Sequence, residues 1–233
     1  REVDLSHLEI LVLDEADRML DMGFIHDIKK IIKKIPVNRQ NIFLSATIPA
    51  EIQNLASSLM KNPVRISVSK KQEEVRIEQS VYFVDQDKKR ELLKHIINEK
   101  QIQNAIVFAR TKYGADKLAR HLTKSGITAE AFHGDKSQNA RVRSLTNFKK
   151  NLIRILVATD IAARGIDIVD LPYVFNYELP ESAETYTHRI GRTGRAGATG
   201  NAVSFCNQEE KGQLSNIKRI LTQNLKVVEH PFS

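Results

Sequence analysis

The 233-residue chain contains one cysteine, Cys206, no tryptophan, and only 6% aromatic residues. A lone cysteine excludes an intrachain disulfide and suits a reducing compartment, the cytoplasm. Cys206 lies in the apolar run AVSFC, so it reads as a buried, inert thiol. The seven histidines show no spacing with cysteine or carboxylate that suits zinc. No apolar run approaches bilayer length and no signal peptide is evident, so no membrane partner is expected. The scarcity of rings argues against a platform on which bases stack in series. No G-x-x-x-x-G-K-[ST] occurs either, so a loop of that kind for cradling phosphates is missing from these residues.

What is present is positive charge. A net charge of +8 favours a polyanionic partner, nucleic acid being the commonest. Short β-branched runs alternate with helical patterns, which points to a parallel α/β fold. Strands are expected at 8–13, 41–44, 64–68, 79–84, 104–109, 153–158, 173–177 and 201–206, with helices at 25–35, 50–60, 88–99, 112–125, 137–149 and 209–221. In the first helix Ile25, Ile28, Ile31, Ile32 and Ile35 form one face and four lysines fill the other, which reads as a solvated surface. The polar stretch SKKQEEVRIEQ reads as a linker, 69–79, between a first piece, 1–68, and a second, 80–233.

Chemistry is first suggested by VLDEAD, where an apolar strand runs into the adjacent carboxylates Asp14 and Glu15. Open α/β sheets bind ligands beyond the carboxyl ends of their strands, and one strand-end aspartate can hold magnesium through its water shell. The neighbouring glutamate can then orient or deprotonate a water. The same pair also reads as an acidic helix N-terminus. At the other end of the chain, HRIGRTGR (188–195) packs three arginines and two glycines into eight residues. A solvated basic turn accounts for one arginine better than for three.

DEAD (14–17), SAT (45–47), IVFART (106–111), HGDKSQNAR (133–141), ATDIAARGID (158–167), NYELP (176–180) and HRIGRTGR occur in the order of the motifs of DEAD-box RNA helicases, which belong to superfamily 2. The chain resembles that family along essentially its whole length, in wording closest to the bacterial RhlE-like group. The resemblance implies two RecA-like domains of parallel sheet flanked by helices, with ATP, Mg2+ and single-stranded RNA bound across the cleft between them. It implies an RNA-dependent ATPase that remodels RNA locally as ATP and RNA close the domains. Asp14 would hold Mg2+ through water, and Glu15 would be the general base. Asp17, Ser45, Thr47 and His188 would couple hydrolysis to closure, although Ser45 and Thr47 also read as helix caps. Asp167 would face the nucleotide near its ribose, and Arg192 and Arg195 would reach the γ-phosphate. Thr159, Gly165, Gly134, Arg141 and, less firmly, Arg110 would contact RNA. Arg189 reads as a residue that holds the loop, and Arg164 as an ion-pair partner of Asp160 or a ligand contact.

The resemblance also carries a gap. The P-loop and the early motifs of the family do not occur, so the chain is expected to start midway through the first RecA-like domain and to be inactive alone. The other half of that domain is then expected from another polypeptide or a cleaved piece. RNA contacts are expected through the backbone, with little choice of sequence and steep weakening by salt. A scaffold that binds RNA without catalysis and a DNA translocase of the same superfamily are the competing readings. A degenerate P-loop would favour the first, and stimulation of ATPase by DNA rather than RNA the second.

Overall fold

The runs AIVF and ILVA contain nothing that prefers water, and both form strands buried along their whole length. They are adjacent interior strands of a seven-stranded sheet in a computed structural model that describes residues 3–21, 23–45, 48, 50–67, 77–163, 166, 168–194, 199–221 and 225–232. The chain divides into two units, Arg1–Ser69 and Lys70–Ser233.

The second unit is built from β3 (Ile77–Phe83), α4 (Lys89–Glu99), β4 (Ala105–Phe108), α5 (Lys112–Lys124), β5 (Ala129–Phe132), α6 (Gln138–Lys149), β6 (Ile155–Ala158), α7 (Asp160–Ala163), β7 (Tyr173–Asn176), α8 (Ala183–Ile190), β8 (Gly200–Cys206), α9 (Lys211–Ile220) and β9 (Lys226–Val227). Its strands run in the order β5-β6-β4-β7-β8-β3-β9, and every pairing is parallel. After β4 the chain turns toward β5; after β7 it turns the opposite way, toward β8. The carboxyl ends of β4 and β7 therefore flank the point where the winding reverses, the place where open parallel sheets take ligands.

Successive residues of a strand face opposite sides. Val107, Val157, Phe175 and Phe205 pack under α4 and α5, with Leu92, Ile96, Leu118 and Leu122. Ile106, Phe108 and Leu156 pack on the other face with Phe148 of α6 and with Ile168 and Leu171 of the β6–β7 connection. Farther along that face Val81 and Ala202 meet Tyr186 and Ile190 of α8 and Leu214 and Ile217 of α9. Cys206 is buried as expected, and burial, aided by the charge of Glu210, pushes its thiol up to about 11.

In the first unit β1 (Ile10–Leu13) pairs in parallel with β2 (Gln40–Phe43), joined through α1 (Ala16–Asp21) and α2 (Ile25–Ile32), and α3 (Ala50–Leu59) follows. Of the apolar face expected on the first helix, Ile28 and Ile35 are buried, whereas Ile31 is exposed. Among the described residues no helix is long and apolar enough to cross a membrane.

Four expectations are corrected. Residues 64–67 form no strand, although β-branched: Val64 and Ile66 are 87% and 81% exposed, and a strand needs a partner more than a propensity. The expected linker is shorter at its end, because Ile77 is buried and pairs with Gly200 as the first residue of β3. Residues 68–76 lie outside the described residues. β5 went unexpected because AEAF is poor in β-branched residues. HRIGRTGR does not begin as a bendable loop: His188, Arg189 and Ile190 are the last turn of α8.

Candidate functional site

In the first unit Asp14 and Glu15 leave the carboxyl end of β1, and both are exposed. Glu15 has φ 51, a left-handed backbone that costs a non-glycine residue energy and tends to persist at functional positions. Its N–H donates to the Asp14 carboxylate at 2.8 Å. Behind the pair, Asp17 is buried and its N–H donates to Ser45 Oγ at 3.2 Å, while Ala16 N–H donates to Leu44 O at 3.1 Å. The loop after β2 thus locks onto the start of α1. Ser45 Oγ thus accepts from the N-terminus of α1. Among the described residues no three potential metal ligands converge. One or two exposed strand-end carboxylates fit a magnesium that keeps most of its waters.

In the second unit the organising group is Arg189, 2% exposed. The Ser182 hydroxyl caps α8 by accepting from Thr185 N–H, and the helix then carries Arg189 back across the sheet. Its guanidinium makes a bidentate pair with Asp160, Nε to Oδ1 at 2.7 Å and Nη2 to Oδ2 at 2.8 Å. Nη1 donates to Asn176 Oδ1 at 3.1 Å and to Glu178 O at 2.7 Å, and the group lies 4.9 Å over the Phe108 ring. One buried fork therefore joins the ends of β4, β6 and β7. It supplies the paired, hydrogen-bonded surroundings that a buried charge requires. Asp160 is engaged by Arg189; Arg164 lies outside the described residues.

Three residues on, Arg192 donates from Nη1 to Ile166 O at 2.9 Å and to Ile168 O at 3.4 Å. It is thus set against the β6–β7 connection on either side of position 167. Thr193 is buried, its hydroxyl donates to Leu171 O, and the two residues form a β-bridge. The glycines in this region do separate jobs. Gly194 has φ 71. Gly200 is required by packing, since a Cβ there would stand 2.4 Å from Gly194 N.

The loop after β5 carries His133, 3% exposed, with Nε2 3.1 Å from Asp116 Oδ2. Burial pushes the Asp116 carboxyl up, but Lys136 at 2.8 Å and His133 outweigh it and hold the group below the ordinary aspartate range. A Cβ on Gly134 would meet only Lys112 Cε at 3.9 Å, so nothing near it in the structure demands glycine. Arg141 of α6 donates to Gln138 at 3.3 Å and lies 5.1 Å over the Phe132 ring. Thr159 follows β6 but is 7% exposed, so its hydroxyl offers little surface.

Arg110 departs most from expectation. Its Nη2 lies 3.3 Å from Glu210 Oε1, its Nε 4.0 Å from Glu181, and its N–H donates to Glu178 at 2.7 Å. A phosphate at Arg110 would have to compete with carboxylates already there. Glu210, 3% exposed, also takes the Lys89 ammonium at 2.5 Å and the N–H groups of Leu179 and Asn207, both at 3.1 Å. Sequence reasoning missed this buried pair. One signal was available: Lys89 falls on the buried face of α4 with Leu92, Leu93, Ile96 and Ile97. Thr47, Gly165, Asp167 and Arg195 lie outside the described residues.

Residues 88–197 match the helicase conserved C-terminal domain, and residues 1–55 match the DEAD/DEAH box helicase family. The Escherichia coli DEAD-box protein SrmB, solved bound to regulator of ribonuclease activity A, is 35% identical with TM-score 0.64, over 66% of this chain and 92% of that one. This chain belongs to the DEAD-box RNA helicase family. The DEAD-box ATP-dependent RNA helicase CshA of Geobacillus kaustophilus is 43% identical over 97% of the chain. The chain spans only 49% of that protein's length. Saccharomyces cerevisiae Dbp5, solved bound to RNA and ADP BeF3, matches with TM-score 0.81 and 29% identity over 96% of this chain and 60% of that one. The sheet and flanking helices described above are the RecA-like fold of these DEAD-box structures.

Proposed function

We propose that the protein of which this chain is part is an RNA-dependent ATPase and ATP-dependent RNA helicase, which remodels RNA locally as ATP and RNA draw its RecA-like units together. The observation that carries this reading is the exposed Asp14–Glu15 pair, with Glu15 in a left-handed backbone and Asp17 and Ser45 locked behind it. Glu15 takes the proton from the attacking water. Asp14 would hold Mg2+, which when bound would supply charge neutralisation to the phosphates. Asp17, Ser45, Thr47 and His188 link hydrolysis to closure. Arg192 and Arg195 stabilise charge on the transferred phosphate, and Asp167 faces the ribose. Gly134, Arg141 and Gly165 contact the RNA backbone, Thr159 does so only through the little surface it exposes, and Arg110 only by leaving its carboxylates.

The chain by itself turns over no ATP under this reading, because its sequence has no P-loop. Ile10, Val12, Ile42 and Leu44 are exposed along β1 and β2, and parallel strands are normally covered. We read that surface as the seat of polypeptide outside these residues, on the same or another chain. The proposed domain division is a first domain over 1–68 and a second that begins ahead of residue 80, with β3 at Ile77, and the buried thiol suits the cytoplasm. Within the family, the motif wording is RhlE-like while the relative above carries the name CshA; the reading rests on what both share.

RNA-stimulated ATP hydrolysis by the full-length protein tests the proposal. Glu15→Gln should abolish turnover while RNA binding persists, and Arg192→Ala should lower turnover by about 10³–10⁵. Undiminished hydrolysis by the Glu15→Gln protein would overturn it.

A further inference from the structure

The outer face of α5 bears side chains that no motif uses. Ala115, Leu118, Ala119 and Leu122 bury the inner face. On the opposite side Tyr113, Lys117, Arg120 and Lys124 are exposed at a spacing of i, i+4, i+7 and i+11, which aligns them in one stripe. At 1.5 Å per residue the stripe is about 16 Å long. It contains no carboxylate. Among the described residues Tyr113, Lys117 and Lys124 make no hydrogen bond or ion pair, and Arg120 donates only to Asp116 O of its own helix, at 3.2 Å. The contrast is with α4, where Lys94 pairs with Glu91 at 3.8 Å and His95 with Glu99 at 3.6 Å.

Tyr113 is 71% exposed, and it sits where α5 leaves the carboxyl end of β4. The preceding residue, Lys112, pairs with Asp135 of the loop after β5, and its stem passes Gly134. The stripe therefore starts at the loop proposed to contact RNA and runs away from it over the helix layer. An exposed ring followed by uncompensated cations matches single-stranded nucleic acid, which offers a π-face at every base and a charge at every phosphate. An acidic protein segment would use the cations but has no particular need of the ring.

We propose that α5 extends the RNA site: Tyr113 stacks on one base of a single strand leaving the motif loops, and Lys117, Arg120 and Lys124 hold the phosphates that follow. This rests on the RNA reading of the preceding section. Low aromatic content argues against a platform of several rings; here a single ring suffices, and it confers no sequence preference.

Binding of labelled oligouridylates of two lengths to the full-length protein, in the presence of a non-hydrolysable ATP analogue, tests it, with thermal melts confirming that the variants fold. The short oligomer fills the motif loops alone and the long one reaches α5. Tyr113→Ala should weaken the long oligomer by about 5- to 150-fold and leave a base-free strand of equal length unaffected, while Tyr113→Phe should match the parent. Replacing Lys117, Arg120 and Lys124 together by Gln should reduce the slope of log affinity against log salt by about 2, for the long oligomer only. Variants that bind the long oligomer as the parent does would overturn the proposal and leave the RNA reading standing. Loss of short and long oligomers alike would overturn it too. A full-length parent that binds neither length in the presence of the ATP analogue overturns both readings.

Discussion

Arg189 has almost no exposed surface, while its partner Asp160 is 27% exposed. The two halves of the pair are therefore unequal. Without Arg189, Asp160 can still be hydrated, but Asn176 Oδ1 and Glu178 O lose their donor and the Phe108 ring loses its cover. Breaking a buried pair from one side costs about 3–5 kcal/mol, and we expect Arg189→Ala to fall in that range when measured by urea unfolding. Arg189→Lys should recover less than half of the loss, because a single ammonium cannot reproduce the fork across Asp160. A lysine variant as stable as the parent would show that charge, not the planar geometry, is what the site requires.

At the scale of elements, two glycines of the motif loops answer to different demands. A Cβ at Gly200 would meet the backbone nitrogen of Gly194 at 2.4 Å, and backbone cannot swing aside, so Gly200→Ala should separate the first residue of β8 from the 193–194 turn. Gly134→Ala meets nothing closer than the flexible end of Lys112, so its melting temperature should stay near the parent's. If Gly134 faces RNA, that variant should instead lose RNA affinity. Equal melting temperatures for the two variants would contradict the packing argument. The same contrast explains what could be read in advance. α4, α5, α6 and α9 lie within two residues of their expected ends, because amphipathic spacing and caps such as Thr111 and Ser137 are local. α8 went unexpected because its last turn runs straight into the Arg- and Gly-rich stretch that follows; Ser182 caps its start and Asp160 takes Arg189. The DEAD carboxylates were placed correctly at a strand end. The left-handed Glu15 is a backbone angle that side-chain pattern does not encode, and the Glu210 hub was not legible because its partners Lys89, Arg110 and Leu179 are distant in the chain.

On the scale of the whole molecule the two units differ in how well they satisfy themselves. The second has apolar layers on both faces of a seven-stranded sheet, and all the partners of Arg189 and Glu210 described above lie inside it. The first has two paired strands with Ile10, Val12, Ile42 and Leu44 at 53%, 51%, 37% and 47% exposure. Exposed apolar surface on short parallel strands favours association over a stable monomer. Residues 70–233 produced alone should therefore melt in a single cooperative transition at nearly the same temperature whether or not the first unit is attached. Residues 1–69 alone should bind a hydrophobic dye and sediment as oligomers. Calorimetry and sedimentation velocity on the two pieces test this. A second unit that melts broadly, or much lower than in the longer chain, would mean that its core depends on the first, and that the boundary near Ser69 separates two halves of one cooperative structure.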